Sequence, residues 1–374
     1  IKDEMNLVIA DAINGMLETE RDAQLGRAPY ERVSGSNKRN GFKPLRLVGL
    51  FGDLMVKRPV LRAGTLDLPF AHALKSAGQH LREILAVRFW LRGASTRAVA
   101  QEVTAAVGGK MSASRVTQLT NKLEPVLRAW ESRPIPAGIR YLLVDAIYLP
   151  VRRPGFTRKQ ALLVAIGVQE DGNRHVLGCL LGDRENQESW DALLKDLLAR
   201  GLDRQTLAMV VSDEHKSIEA AVTRILAVPH QLCVVHMVRN MKARVSAPDW
   251  KAFLADLHAV FWAANRDGAR KALGTLQANW GARYPRALGL ILRRFDEHVR
   301  FFDQPEPFWN LLRSTNLIER FNLELRRRLN AAGTMHSELE ILKLMWAVSE
   351  AQESRWAKHP WKARQKFVQE PVMA

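Results

Sequence analysis

Tyr141-Leu-Leu-Val-Asp-Ala-Ile-Tyr-Leu149 is an apolar run with a single acid at its centre. Its residues are strand formers, and a two-residue period puts Tyr141, Leu143, Asp145, Ile147 and Leu149 on one face. A carboxylate inside a buried strand is costly unless something pairs with it. A second apolar run, Leu207-Ala-Met-Val-Val-Ser-Asp213, ends on an acid, and a third acid, Glu319, opens the helix-like Thr315-Asn-Leu-Ile-Glu-Arg-Phe-Asn-Leu-Glu-Leu-Arg-Arg-Arg328. Three convergent carboxylates suit a hard divalent cation. A pair of such ions drives in-line displacement at phosphate.

Outward from Asp145 the pattern alternates. Strands are expected at 141–149, 160–168 and 175–181, a helix at 187–199, a strand at 207–212, a helix at 216–226 and a short strand at 231–235. Three meander strands followed by alternating α and β resemble the ribonuclease H-like nuclease core. In that core the first acid lies in the middle of strand one and the second at the end of strand four, the places of Asp145 and Asp213. Residues 237–312 break the alternation with helical stretches rich in Trp, Arg and Ala, the tryptophans mostly as core. Residues 314–352 read as one long helical segment carrying Glu319.

Upstream, Pro134-Ile-Pro136-Ala-Gly138 marks a boundary. Before it lie two short helical segments, each opened by a serine suited to N-capping (Ser95, Ser112) and joined through Gly108-Gly109-Lys110. This pair resembles a helix-turn-helix whose second helix offers Ser114, Arg115, Gln118 and Lys122 to a DNA groove. Further upstream an amphipathic segment, 5–17, precedes a strand pair at 45–50 and 53–58. Residues 37–62 hold seven basic residues, Lys38 and Arg39 among them, against the lone acid Asp53.

The expected organisation is a 1–75 N-terminal basic region, a 76–133 helical DNA-binding domain and a 139–236 first part of the catalytic core. An all-helical insertion at 237–312 and a 313–374 C-terminal part with the last acid follow. The fold class is α/β: a mainly helical DNA-binding region plus a ribonuclease H-like core interrupted by helices.

The chain has 374 residues, 47% of them apolar, and Lys plus Arg exceed Asp plus Glu by 17. Its length predicts two or three domains, and its charge a polyanionic partner, double-stranded DNA. Cys179 and Cys233, the only cysteines, sit in apolar runs, which argues for a reducing compartment and against a disulfide framework. No apolar stretch reaches membrane-spanning length and no signal-peptide pattern opens the chain, so no membrane partner is expected. The first residue is Ile, and the natural N-terminus is expected upstream of it.

Asn316-Leu-Ile-Glu-Arg-Phe-Asn322, followed by Glu324 and Arg326-Arg-Arg328, resembles the last-acid motif of mutator-type bacterial insertion-sequence transposases. The family's other landmarks occur in order. They are Tyr30-Glu31-Arg32, Arg39-Asn40-Gly41-Phe42, Leu91-Arg92-Gly93 with Ser95-Thr96-Arg97, and Glu188-Ser189-Trp190 before Arg200-Gly201-Leu202. Asp213 with His215-Lys216, and Gln231-Leu-Cys-Val-Val-His236 before Arg239-Asn240, complete the series. The resemblance implies that Asp145, Asp213 and Glu319 are catalytic acids holding two Mg2+ ions, with Mn2+ as a substitute. It implies cleavage and strand transfer at terminal inverted repeats, action as a homodimer on paired ends, and a bacterial, nucleoid-associated cytoplasmic location. Two places depart from the family pattern: Glu214 stands where glycine follows the second acid, and 330–336 lacks the usual Phe-Pro-Asn. All three acids are present, which favours an active enzyme.

Several readings stay open. Glu319 could be the capping-box partner of Asn316, and Glu324 is a rival third acid, pointing about 140° away on an ideal helix. Cys233 and His236 have the spacing of zinc ligands but lack a second pair. Cys233 is then a core residue, and with His236 it is expected to support the active site. Arg239, Arg320, Arg326, Arg327 and Arg328 are candidate phosphate contacts. The alternatives to a transposase are a ribonuclease H-like structure-selective nuclease and a domesticated, non-catalytic DNA-binding protein.

Overall fold

The structure, a computed structural model, describes residues 2–26, 37–49, 52–153, 156–333 and 337–361. The landmark Tyr30-Glu31-Arg32 and residues 334–336 of the divergent segment lie outside them. The chain divides into two compact units, Ile1–Pro125 with Asn330–Gly333, and Val126–Leu329 with Thr334–Ala374.

The first unit opens with α1 (Lys2–Leu25) and an antiparallel hairpin, β1 (Arg39–Gly49) and β2 (Gly52–Leu61). Ile13 and Leu17 of α1 pack with Leu47, Leu54 and Val56 of the hairpin and with Leu66, Leu68 and Ala71. Then come α2 (Pro69–Leu91), α3 (Thr96–Val107) and α4 (Ala113–Asn121). Both serine caps form. Ser95 Oγ accepts from the Ala98 amide at 3.2 Å and Ser112 Oγ from the Arg115 amide at 3.1 Å. The turn between α3 and α4 needs glycine for two reasons. Gly108 has φ +85°, and a Cβ there would meet the Asp53 backbone nitrogen at 2.5 Å. Asp53 also accepts a hydrogen bond from the Gly109 amide at 2.8 Å, tying the hairpin tip to the turn.

The boundary between the units falls in the first turn of α5 (Glu124–Glu131). The second unit is built on β3 (Ile139–Arg153), β4 (Phe156–Gln169) and β5 (Arg174–Gly182), then α6 (Gln187–Ala199), β6 (Met209–Ser212), α7 (Lys216–Ala221) and β7 (His230–Leu232). These strands form one sheet in the order β5-β4-β3-β6-β7. The β3–β4 and β4–β5 pairs are antiparallel, and β3–β6 and β6–β7 are parallel. One face, through Leu142, Val144, Leu163 and Val210, buries against Trp190, Leu193, Leu194 and Leu197 of α6 and Ile218 of α7.

Helices follow: α8 (Val234–Lys242), α9 (Ala247–Phe261), α10 (Arg266–Trp280), α11 (Pro285–Leu292), α12 (Phe295–His298) and α13 (Trp309–Leu312). The last two are α14 (Asn316–Ala332) and α15 (Glu338–Lys358). The ring of Tyr141, on the face opposite the α6 packing, meets Phe308 at 5.0 Å. No helix among the described residues is long and apolar enough to cross a membrane.

Four expectations need correction. The strand placed at 231–235 ends at Leu232, because the Cys233 amide closes on Ser212 O (2.8 Å) and the Val234 amide turns to Arg313 O (3.0 Å), starting α8. The helix at 216–226 is α-helical only to Ala221 and continues as a π turn, Val222–Leu226, closed by Ala227 at φ 55°. The strand at 207–212 starts at Met209. The single helical segment at 314–352 is two helices, α15 capped afresh by Ser337.

Candidate active site

Strand register places the two aspartates. Leu143 pairs with Val211 across β3 and β6. Asp145 and Asp213 each lie two residues further along parallel chains, so they stand level and on the same face. Asp213 follows the last β6 residue, whose hydroxyl, Ser212 Oγ, donates to Asp213 O at 2.7 Å and so accepts from His230 Nε2 at 2.8 Å. Both carboxylates are half-buried. Burial, then the charge of Asp213, pushes the Asp145 carboxyl up to about 7. Asp213 is raised too, first by burial and against the pull of His236 and His215. Its Oδ1 is buried and has no hydrogen-bond partner among the described residues.

Glu319 is brought in by the first turns of α14. Thr315, Glu319 and Asn322 lie four and three residues apart and form one stripe. Asn322 Nδ2 donates to Asp145 Oδ2 at 2.8 Å, so the helix is pinned to the strand one turn beyond Glu319. The Glu319 carboxylate accepts from Thr315 Oγ1 at 2.9 Å and from Arg239 Nη2 at 3.0 Å, with His236 Nε2 at 3.8 Å. The capping-box reading lacks support, since the Asn316 amide bonds instead to Ser314 Oγ at 3.4 Å. Glu324 is held by Arg327 (2.7 Å) and Arg328 (2.9 Å), which lower its carboxyl to about 2.

His236 sits among the acids. Its hydrogen bond with Cys233, helped by the charges of Glu319 and Asp213, raises it to about 9. Cys233 is buried and immediately precedes α8, so it and His236, one turn on, face the same way. The ligand atoms of Cys233, His236 and Glu319 all lie within 4.8 Å of one another.

A carboxylate without a sequence signal joins the periphery. Glu185 is side-chain buried at 9% exposure, takes the Trp190 indole N–H at 3.3 Å and the Tyr148 hydroxyl at 3.5 Å, and faces His215 Nδ1 at 3.5 Å. Burial, then Asp213 among other charges, raises it. Asn322 is the other residue without a prior signal for its role. Glu214, the departure from the family pattern, is turned to Arg294 at 3.4 Å.

The basic candidates divide. Arg320 and Arg326 are exposed, Arg327 is exposed yet held by Glu324, and Arg328 is buried against the same carboxylate. Arg239 is spent on Glu319. In the first unit Lys38, Gln118 and Lys122 are exposed, Arg39 pairs with Asp22 at 2.9 Å, and Arg115 pairs with Glu83 and reaches Gln118 at 3.4 Å. Exposure and clustering could be guessed from sequence, but these pairings could not.

The chain matches the family described as Transposase, Mutator family, over residues 1–359. It is 32% identical over 349 residues to the transposase for insertion sequence element IS406 of Burkholderia multivorans, covering 92% of this chain and 89% of that one. The transposase for insertion sequence element ISRM5 of Rhizobium meliloti is 29% identical over 356 residues, covering 95% and 89%. The transposase for IS256 in transposon Tn4001 of Staphylococcus aureus is 27% identical over 362 residues, covering 95% and 92%. A solved simian T-cell lymphotropic virus intasome, in complex with a PP2A regulatory subunit, aligns with 55% of this chain and 64% of that one at 10% identity and a TM-score of 0.19, a likeness too slight to bear on the fold. With one family spanning nearly every residue and such relatives covering almost the full length, this chain belongs to the Mutator family of transposases.

Proposed function

We propose that the chain is a DNA transposase of an insertion sequence, which binds terminal inverted repeats and cuts and joins strands with Asp145, Asp213 and Glu319. The observation that carries this reading is the Asn322–Asp145 hydrogen bond. It ties the helix bearing Glu319 to the strand bearing Asp145, whose parallel neighbour ends in Asp213. The sheet order, with three antiparallel strands leading into two parallel ones, supports a ribonuclease H-like core, with 237–312 as its helical insertion.

The residues present fit a divalent metal. Asp213 Oδ1 has no hydrogen-bond partner among the described residues, and burial together with the charge of Asp213 raises the proton affinity of Asp145 in a way that a cation relieves. Asp145, Asp213 and Glu319 would hold it, as a pair of Mg2+ or Mn2+ ions. Such ions supply Lewis acidity at a phosphodiester and at the oxygen that attacks it. The chain's own residues do the rest. Asn322 fixes the Asp145 carboxylate, leaving its other oxygen to the site. His236, protonated at neutral pH, offers an N–H to an anionic phosphate oxygen. The freed 3′-hydroxyl then takes the place of water as nucleophile, so no covalent protein–DNA link is required. α3 and α4 read the repeats, two copies act on paired ends, and the divisions at 76–133, 139–236 and 313–374 mark the working parts.

The test is a duplex bearing the element's end, incubated with the full chain and Mg2+. Nicking at the end and joining to a second duplex are expected, and Asp145→Asn, Asp213→Asn or Glu319→Gln should each lower both by at least about a thousandfold. Nicking without joining points to a structure-selective nuclease. End binding without either points to a domesticated DNA-binding protein.

A further inference from the structure

We propose that Cys233, His236 and Glu319 form a site for a soft divalent cation of the zinc class, and that filling it withdraws Glu319 from the two aspartates. The first half stands on ligand geometry alone. The second rests on the proposed function.

The three residues come from the start of α8 and the start of α14, and their ligand atoms lie within 4.8 Å of one another. One hydroxyl gathers them. Thr315 Oγ1 is 2.9 Å from Glu319 Oε1, 3.2 Å from Cys233 Sγ and 3.4 Å from His236 Nδ1. A hydroxyl carries one proton and can donate to only one of these groups at a time. A dication satisfies all three together. Metal–ligand bonds of about 2.0–2.3 Å place the donors of a tetrahedral site about 3.3–3.8 Å apart, so closure asks for about 1 Å of side-chain movement. Glu319 has that freedom once it leaves Arg239, whose side chain is 57% exposed.

The donor set decides the class of metal. A thiolate and an imidazole are poor ligands for magnesium and good ones for zinc or cobalt. Three protein ligands leave a fourth position open. On binding, the Cys233 thiol and the His236 imidazolium each give a proton to solvent, and the two anionic ligands, thiolate and carboxylate, neutralise the dication. The same Glu319 cannot then complete the aspartate pair. The sequence hides this site because its third ligand is a carboxylate 83 residues beyond His236 rather than a second Cys or His pair.

The experiment titrates Co2+ into the metal-stripped full chain under a phosphine reductant and follows the thiolate-to-cobalt charge-transfer band. The band should saturate at one equivalent, vanish in Cys233→Ser and persist in Cys179→Ser. Because Cys233 is buried and its substitution puts folding at risk, Glu319→Gln gives a second readout: it should retain the fold and bind cobalt at least roughly tenfold more weakly. No band, a band that survives Cys233→Ser, or wild-type affinity in Glu319→Gln overturns the site. Zn2+ added at one equivalent should suppress Mg2+-dependent nicking, and a chelator should restore it. Undiminished nicking at saturating zinc overturns the withdrawal of Glu319. A chain that shows the band yet never nicks DNA, with or without zinc, keeps the site and overturns the proposed function instead.

Discussion

Asp145 carries a stability cost that can be measured without any substrate. Its carboxyl is raised from 3.8 to about 7, first by burial and then by Asp213. A raised folded value means the native state holds its proton longer than the unfolded chain does. Stability contributed by this residue is therefore full below about pH 4, falls as pH rises towards 7, and is flat above that. Asp145→Asn should raise the thermal midpoint of the metal-free protein at pH 8 by the equivalent of on the order of 1–4 kcal/mol, with little gain near pH 4. Calorimetry across that range checks it, and a gain that does not grow with pH would remove the burial argument. The same titration sets the reaction: DNA nicking should rise with pH towards 7, with the midpoint moving lower as Mg2+ is increased. A midpoint indifferent to Mg2+ would separate Asp145 from the metal.

Asp145 and Asp213 were legible because an acid in or after an apolar run is anomalous on its own. Glu319 and Glu324 were separable only through the family motif, and the structure adds a physical difference. Glu324 is engaged by its own helix, whereas Glu319 reaches to other elements. Glu185 stayed silent, and Asn322 showed only as the end of the family motif, because their partners lie far away in sequence and neither residue type breaks a local pattern.

Among the elements, α6 was read with its observed bounds, since Asn186 ahead of the start, a regular apolar stripe and Gly201 beyond the end all agree. The strand at 231–235 failed because apolar content cannot distinguish a buried strand from the first turn of a buried helix. Main-chain partners on Ser212 and Arg313 decide it. The α3–α4 turn makes a sharper claim. Gly108→Ala should destabilise the first unit by about 1–3 kcal/mol, from the positive φ and from the clash with the hairpin at Asp53. Gly64→Ala, also at positive φ but with open space around it, should cost less. Equal losses in thermal unfolding would show that the contact with the hairpin does not matter.

For the whole molecule, a net charge of +17 predicts duplex binding that weakens steeply with salt. Lys122→Ala should weaken binding to every duplex alike and shallow the salt slope by about one unit. Arg115→Ala should instead reduce the preference for the element's end by about 1–3 kcal/mol, the worth of a bidentate base contact. Competition binding at two salt concentrations separates them. An unchanged preference in Arg115→Ala would move end recognition out of α4. The face of α4 was only partly readable, because exposure of Gln118 and Lys122 follows from helical period whereas the hold of Glu83 on Arg115 depends on tertiary packing.

The ion pair of Arg239 with Glu319 also has a temporal meaning. On the assignment proposed above, an exposed guanidinium resting on Glu319 is open to exchange, and a DNA phosphate would compete for it. Under that assignment, arrival of the substrate and release of the carboxylate would be a single event. An idle molecule would then be disarmed by its own side chain, and the chromosome around it spared until a strand is laid across Arg239.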